Sequence, residues 1–155
     1  MRQTSLYDMR LSEDRLPMLI RECVVTYPDR LHKNSPRLIA EWLDDVLDIR
    51  HRAQEIAVLL LFDAAFNLIG YSILSSGSIT TTVLSARETY QVALAAGATA
   101  IVVAHQHPSL DPTPSREDRT VMEQLKSAGE MIGIPLADFL VIGDTCYSAR
   151  ENGDL

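Results

Sequence analysis

The chain has 155 residues, 46% hydrophobic and 23% charged, and carries a formal net charge of −7. That length fits one globular domain with its own core and leaves no room for two sizeable ones. No apolar run approaches the ~20 residues that span a bilayer, the charged N-terminus lacks the apolar stretch of a secretory signal, and the acidic balance argues against broad charge-driven contact with nucleic acid; a cytoplasmic protein is the expectation.

Residues 1–16 are polar and read as a loose, flexible N-terminal segment, so the folded domain is expected over 17–155. Between Pro17 and Pro28, LIRECVVTY reads as a strand bounded by prolines. Ser35-Pro36 opens a helix, with Ser at the cap and Pro at the first helical position. Leu38, Ile39, Trp42, Leu43, Val46 and Leu47 recur at helical spacing and form its apolar face. Ile56 to Phe62 is a continuous apolar run, as expected of a strand buried on both faces. Asp63 to Asn67 then turns the chain into a second strand, Leu68 to Ser75, giving a hairpin. A Gly/Ser/Thr loop is predicted over 76–82. The next helix runs from Ser85 to Ala96, with a capping box between Ser85 and Glu88 and a stop at Gly97. Ala98 to Ala104 is another buried strand. A helix from Ser115 to about Ala128, further strand within Ile134 to Ile142 and a short last strand from Tyr147 follow the Pro-rich loop. Strands and helices that alternate in this way predict an α/β or α+β layered domain around a mixed sheet.

Charge is unevenly spread. Residues 1–55 hold 9 basic and 10 acidic side chains, and residues 56–155 hold 5 and 11. The second segment therefore offers no basic cluster to track phosphates. Cys23 and Cys146 are far apart in apolar contexts, which suggests neither a disulfide framework nor a cysteine zinc site.

The chemistry concentrates at the end of the ATAIVVA strand. His105 and His107 are separated by one residue, and in extended backbone such side chains point the same way. Seven residues after His107, three of them proline, come Ser115-Arg-Glu-Asp118. The loop can carry the chain back over the strand ends, so that Asp118 stands in the first turn of the next helix and faces the histidines. Two imidazoles and one carboxylate leave a fourth position for water, the arrangement of a catalytic rather than a structural zinc, and zinc lowers the pKa of bound water from ~16 toward ~7. Taken singly, the parts have plainer readings: two surface histidines, and a capping box in Ser115-x-x-Asp118.

The string HQHPSLDPTPSRED at 105–118 resembles the signature of the JAMM (MPN+) metalloproteases, most of all their RadC branch. The likeness continues through AHQHPSLDPTPSREDRTVMEQLKSAGEMIGIPLADFLVIGD and, upstream, through LSARETYQVALAAGATAIVVA, SPRLIAEWLDDVL and AQEIAVLLLFDAAFNLIG. It covers residues 17–155, as a RadC-like JAB domain. The resemblance implies a cytidine-deaminase-like α/β/α layered domain with a mixed central sheet. It implies one Zn2+ per chain on His105, His107 and Asp118, and hydrolysis of an amide in a peptide or protein substrate. It makes Glu55, just before the IAVLLLF strand, the base that acts on the attacking water. It makes Ser115 a hydrogen-bond donor to the tetrahedral oxyanion. A deaminase activity does not fit, because Pro-Cys-x-x-Cys and its His-x-Glu partner are absent.

The sequence departs from the usual RadC pattern at three places. Gln106 replaces Asn but keeps an amide. Leu110 replaces Gly, which stiffens or reshapes its loop. Asp138-Phe139 replaces Asp-His, which removes a group near the metal or substrate and leaves Asp138 a structural role. Two other classes of function stand beside the hydrolase: a DNA-associated accessory factor, and a binding module stabilised by zinc without turnover. Residues 1–34 are too short for the helix-hairpin-helix that precedes this domain in longer RadC proteins, and with the acidic balance this makes direct nucleic-acid binding the weaker expectation. The LIRECVVTY strand can close the sheet or pair with a second copy as a homodimer, since an uncovered edge invites pairing.

Overall fold

A computed structural model describes residues 1–77 and 84–155. Most of the Gly/Ser/Thr loop predicted over 76–82 lies outside the described residues. Seven strands are seen among the described residues: β1 (Arg2–Leu11), β2 (Pro17–Tyr27), β3 (Ile56–Phe62), β4 (Leu68–Ser76), β5 (Ala100–Gln106), β6 (Leu136–Ile142) and β7 (Cys146–Ser148). Three α-helices join them: α1 (Pro36–Leu47), α2 (Ala86–Ala95) and α3 (Arg116–Ile132), with a short 3-10 turn at Ile49–His51. The strands form one mixed sheet in the order β2-β1-β4-β3-β5-β6-β7.

The sheet is built on its middle. Every residue of β3 and of β5 is buried, as their unbroken apolar runs require of strands covered on both faces. Alternation along β3 sends Leu59 and Leu61 to one face and Val58, Leu60 and Phe62 to the other. On the first face they meet Tyr90 and Ala93 of α2 and Val121 and Leu125 of α3. On the second they meet Ile39, Trp42 and Leu43 of α1. Helices thus cover both faces. The β3–β4 hairpin turns where Asp63 was expected to turn it: the Asp63 carboxylate accepts from the backbone N–H groups of Ala65 and Asn67, both at 2.9 Å.

Three readings of the sequence need correction. Residues 1–16 are not loose, because Arg2–Leu11 forms β1, paired along its length with β2 and bridged in parallel to β4 through Leu6 and Tyr71. The helix expected to end near Ala128 continues through Gly129 to Ile132 and stops at Gly133, whose φ of 84° is the left-handed conformation of a helix C-cap. Gly129 stays helical because its missing side chain makes room for the Tyr90 hydroxyl, which donates to the Leu125 carbonyl at 2.8 Å. At α2, only half of the expected capping box forms: the Ser85 side chain accepts from the Glu88 N–H.

None of the described helices is long and apolar enough to cross a membrane. Both cysteines are free; Cys23 is exposed, and burial pushes the Cys146 thiol up to about 12.

Because β3 is buried on both faces and β2 is an open edge, their sensitivity to truncation differs sharply. Leu60→Ala is expected to cost about 3 kcal/mol, while Val24→Ala on β2 stays within about 0.5 kcal/mol. Urea unfolding of the two variants measures both, and equal losses would contradict this account of the core.

Candidate metal centre

The site lies where β5 ends and α3 begins. Strand β5 passes through α3 to its parallel neighbour β6, and in such units ligands bind outside the carboxyl ends of the strands. His105 is the penultimate residue of β5 and is fully buried. His107 follows the strand end, with 14% of its side chain exposed. Their ring centroids are 5.0 Å apart.

Asp118 comes from the other side. Ser115 caps α3, and the capping box is complete: Asp118 N–H donates to Ser115 Oγ at 3.0 Å, and Ser115 N–H donates to Asp118 Oδ2 at 2.7 Å. The same carboxylate reaches both imidazoles, with Oδ1 at 3.0 Å from His105 Nε2 and Oδ2 at 3.2 Å from His107 Nε2. Burial by itself would raise the Asp118 pKa, but His105 alongside and the hydrogen bonds from Ser115 outweigh it and hold the carboxyl below the usual carboxylate range. The box therefore both starts the helix and keeps an ionised carboxylate aimed at the histidines.

Two details distinguish this cluster from an ordinary buried ion pair. Although His105 Nε2 is close to Asp118, neither ring nitrogen of His105 is in hydrogen-bonding geometry with any partner among the described residues, and both are buried. A native core rarely leaves such groups unpaired, and a missing ion is a common reason. The second detail is the His107 tautomer. Its Nδ1 lies 2.8 Å from the Asp111 carbonyl, which can only accept, so Nδ1 carries a proton, and Nε2, 3.2 Å from Asp118 Oδ2, is the nitrogen turned toward the cluster. That is the partner arrangement that orients histidine ligands. The donor atoms of His105, His107 and Asp118 all lie within 4.8 Å of one another. Donors each ~2 Å from one tetrahedral ion lie ~3.3 Å apart, close to the 3.0 and 3.2 Å between Asp118 and the two imidazoles, so the residues present fit a zinc-like cation.

Of the remaining positions singled out in the sequence, Ser115 sits at the cap. Its Oγ accepts from Asp118 N–H and keeps its own proton to donate. Glu55 immediately precedes β3, two residues before Ala57, which pairs with His105. Its carbonyl accepts from Gly77 N–H at 2.7 Å. Asp138 belongs elsewhere. It is buried on β6 and accepts from Ser148 Oγ at 2.5 Å and from the backbone N–H groups of Phe139 and Arg150 at 2.8 and 3.0 Å. It ties β6 to the C-terminal turn, and its burial, outweighing these bonds, raises its pKa. Phe139 packs edge-on against His105, with ring centroids 5.5 Å apart.

Other parts of the site carry no motif. Leu110 takes a φ of 64°, a left-handed conformation that costs a leucine about 1 kcal/mol and a glycine almost nothing. Its carbonyl accepts from Asp144 N–H at 2.8 Å, which locks the Pro-rich loop to the β6–β7 turn. Gly143 permits that approach, because a Cβ there would lie 2.3 Å from the Leu110 carbonyl oxygen. The faint signal in the sequence is a glycine directly after a buried strand.

The family model of the RadC-like JAB domain matches residues 34–154. The chain is similar to UPF0758 proteins from Thermotoga maritima (37% identical over 134 residues, 81% of this chain and 60% of the relative) and Symbiobacterium thermophilum (38% over 120 residues, 77% and 50%). One from Clostridium perfringens is 35% identical over 111 residues, covering 71% and 49%. The chain thus spans about half of the length of these curated relatives, and 60% at most.

Two substitutions check the site. Asp118→Asn retains an acceptor for the Ser115 N–H, so stability should change by only about 1 kcal/mol while stoichiometric zinc binding is lost; thermal melts and elemental analysis separate the two effects. Gly143→Ala should push the loop off the turn, costing about 1–3 kcal/mol and weakening zinc binding through the Asp111–His107 bond. Unchanged zinc affinity in a folded Gly143→Ala protein would show that the loop does not orient His107.

Proposed function

Because the chain belongs to the RadC-like JAB domain family, we propose that it is a zinc-dependent metallohydrolase, a metallopeptidase or isopeptidase that cleaves an amide bond in a peptide or protein substrate. The observation that carries this reading is the His105-His107-Asp118 cluster, with the buried His105 nitrogens left without hydrogen-bond partners among the described residues. We also assign the sheet, with helices on both faces, to the cytidine-deaminase-like layered folds.

Zinc held there supplies Lewis-acid polarisation of the amide and activation of water at neutral pH. The chain's own residues do the rest. The Asp111 carbonyl holds His107 in the tautomer that leaves Nε2 free to ligate. His105 and the hydrogen bonds from Ser115 keep Asp118 ionised, and Ser115 holds it in place. Glu55 takes the proton from the attacking water and later delivers it to the leaving amine, a transfer that positioned carboxylates make efficient. The Ser115 hydroxyl donates to the oxyanion as the carbonyl becomes tetrahedral. The excess of acidic over basic side chains in residues 56–155, 11 to 5, favours a protein or peptide substrate over nucleic acid.

Zinc titration of the purified protein should give one ion per chain. Glu55→Gln should keep that ion and lose about 10²–10⁴-fold in turnover on peptide and isopeptide amides. A wild-type protein that binds no zinc at micromolar concentration would end the metallohydrolase reading. Persistent inactivity of zinc-loaded protein would instead favour a zinc-stabilised binding module, and a Glu55→Gln variant with full turnover would take Glu55 out of the base role.

A further inference from the structure

Strands β3 and β5 pair antiparallel from Phe62 opposite Ala100 to Ala57 opposite His105. Beyond that rung a side chain continues the connection. Ile56 N–H donates to Gln106 Oε1 at 2.8 Å, and Gln106 Nε2 donates to the Gln54 carbonyl at 2.6 Å. A primary amide offers the same donor and acceptor as a peptide group, so Gln106 takes the place of the next rung of the ladder. Gln106 is fully buried, and its two bonds grip the backbone on either side of Glu55. On the opposite side, Gly77 N–H, just past the end of β4, holds the Glu55 carbonyl.

Gln106 also stands between His105 and His107. Alternation along the strand puts it on the sheet face of Ala104, opposite the imidazoles, so it is not placed to ligate an ion with them. We infer that Gln106 is the positioning residue for Glu55. It fixes the peptide units that flank Glu55 to the strand that carries the two histidines. This inference rests on the reading of Glu55 as the base. The length of the side chain matters: glutamine spans Gln54 O and Ile56 N together, asparagine is one methylene shorter, and methionine keeps the length but loses both bonds.

The test uses the full zinc-loaded chain as wild type, Gln106→Met and Gln106→Asn. Zinc affinity is read by chelator competition, amide exchange at Ile56 by NMR, and turnover by steady-state kinetics on a fluorogenic peptide amide that the wild type cleaves. Gln106→Met should hold zinc within about threefold of wild type, since no ligand or ligand partner is touched. Exchange at Ile56 should be at least about tenfold faster as that edge opens locally. Turnover should fall about 100-fold with KM nearly unchanged, the effect of a displaced catalytic group rather than of weaker binding. Gln106→Asn, the milder change should the methionine variant not fold, should fall between the two in both exchange and kcat. Unchanged exchange at Ile56, an unchanged kcat, or a loss of kcat matched by loss of zinc each overturns the inference. Failure of the underlying reading looks different: zinc-loaded wild type that cleaves nothing removes the hydrolase, whereas exchange at Ile56 alone still supports or overturns the clamp on the Glu55 segment.

Discussion

The carboxylate of Asp118 is shared among three tasks that pull on the same two oxygens. It accepts from the backbone of Ser115, it lies against His105, and it lies against His107. A helix N-terminus favours a negative charge in its first turn, and a buried carboxylate is tolerated only where such partners surround it. The position of α3 over the sheet follows from satisfying these conditions together. Val121 and Leu125, further along the helix, then pack into the core of that face. Sheet, helix and site are therefore coupled through one side chain, and the Pro-rich loop has only to bring the two ends within reach.

Much of this was legible in the sequence because the central elements have unmixed signals. The IAVLLLF run has no polar residue, and its burial on both faces follows from that alone. The Ser-x-x-Asp spacing at Ser115 reads as a cap and forms one, and the His-x-His pair at a strand end brings both rings to one place. Of the outer hairpin, β2 was read as a strand between its prolines, but its partner β1 was not legible. RQTSLYDMRL lacks a clean apolar alternation because β1 and β2 carry little cover: most of β2 is exposed, and β1 buries only Thr4 and Ser5. A strand held mainly by its neighbours' backbone leaves no period of two in its side chains. The end of α3 was misread for a different reason. A glycine inside a helix looks like a stop, and only the Tyr90 ring, brought there by another helix, explains why the helix passes through it.

The supporting parts of the site were hidden for a third reason, in that they act through backbone. The Asp111 carbonyl that orients His107 could belong to any residue type. The same holds for the Leu110 carbonyl held by Asp144 and for the peptide groups held by Gln106. Sequence reports the ligands because their chemistry lies in their side chains. It reports their holders only where a side chain is the holder, as with the Ser115 cap and the glutamine at the end of β5.

The Pro-rich loop shows how little disorder must be given up to assemble the centre. Three of the seven residues between His107 and Ser115 are proline, at 108, 112 and 114. Each has its φ fixed before folding begins, so the unfolded segment samples fewer conformations and loses less entropy on ordering. Against that gain stands one left-handed leucine at 110, a cost of about 1 kcal/mol. The balance favours a connection that is partly pre-set in the chain: three fixed φ angles narrow the separations His107 and Asp118 can sample before any cation arrives, so less of the cation's binding free energy goes into ordering the loop that presents them.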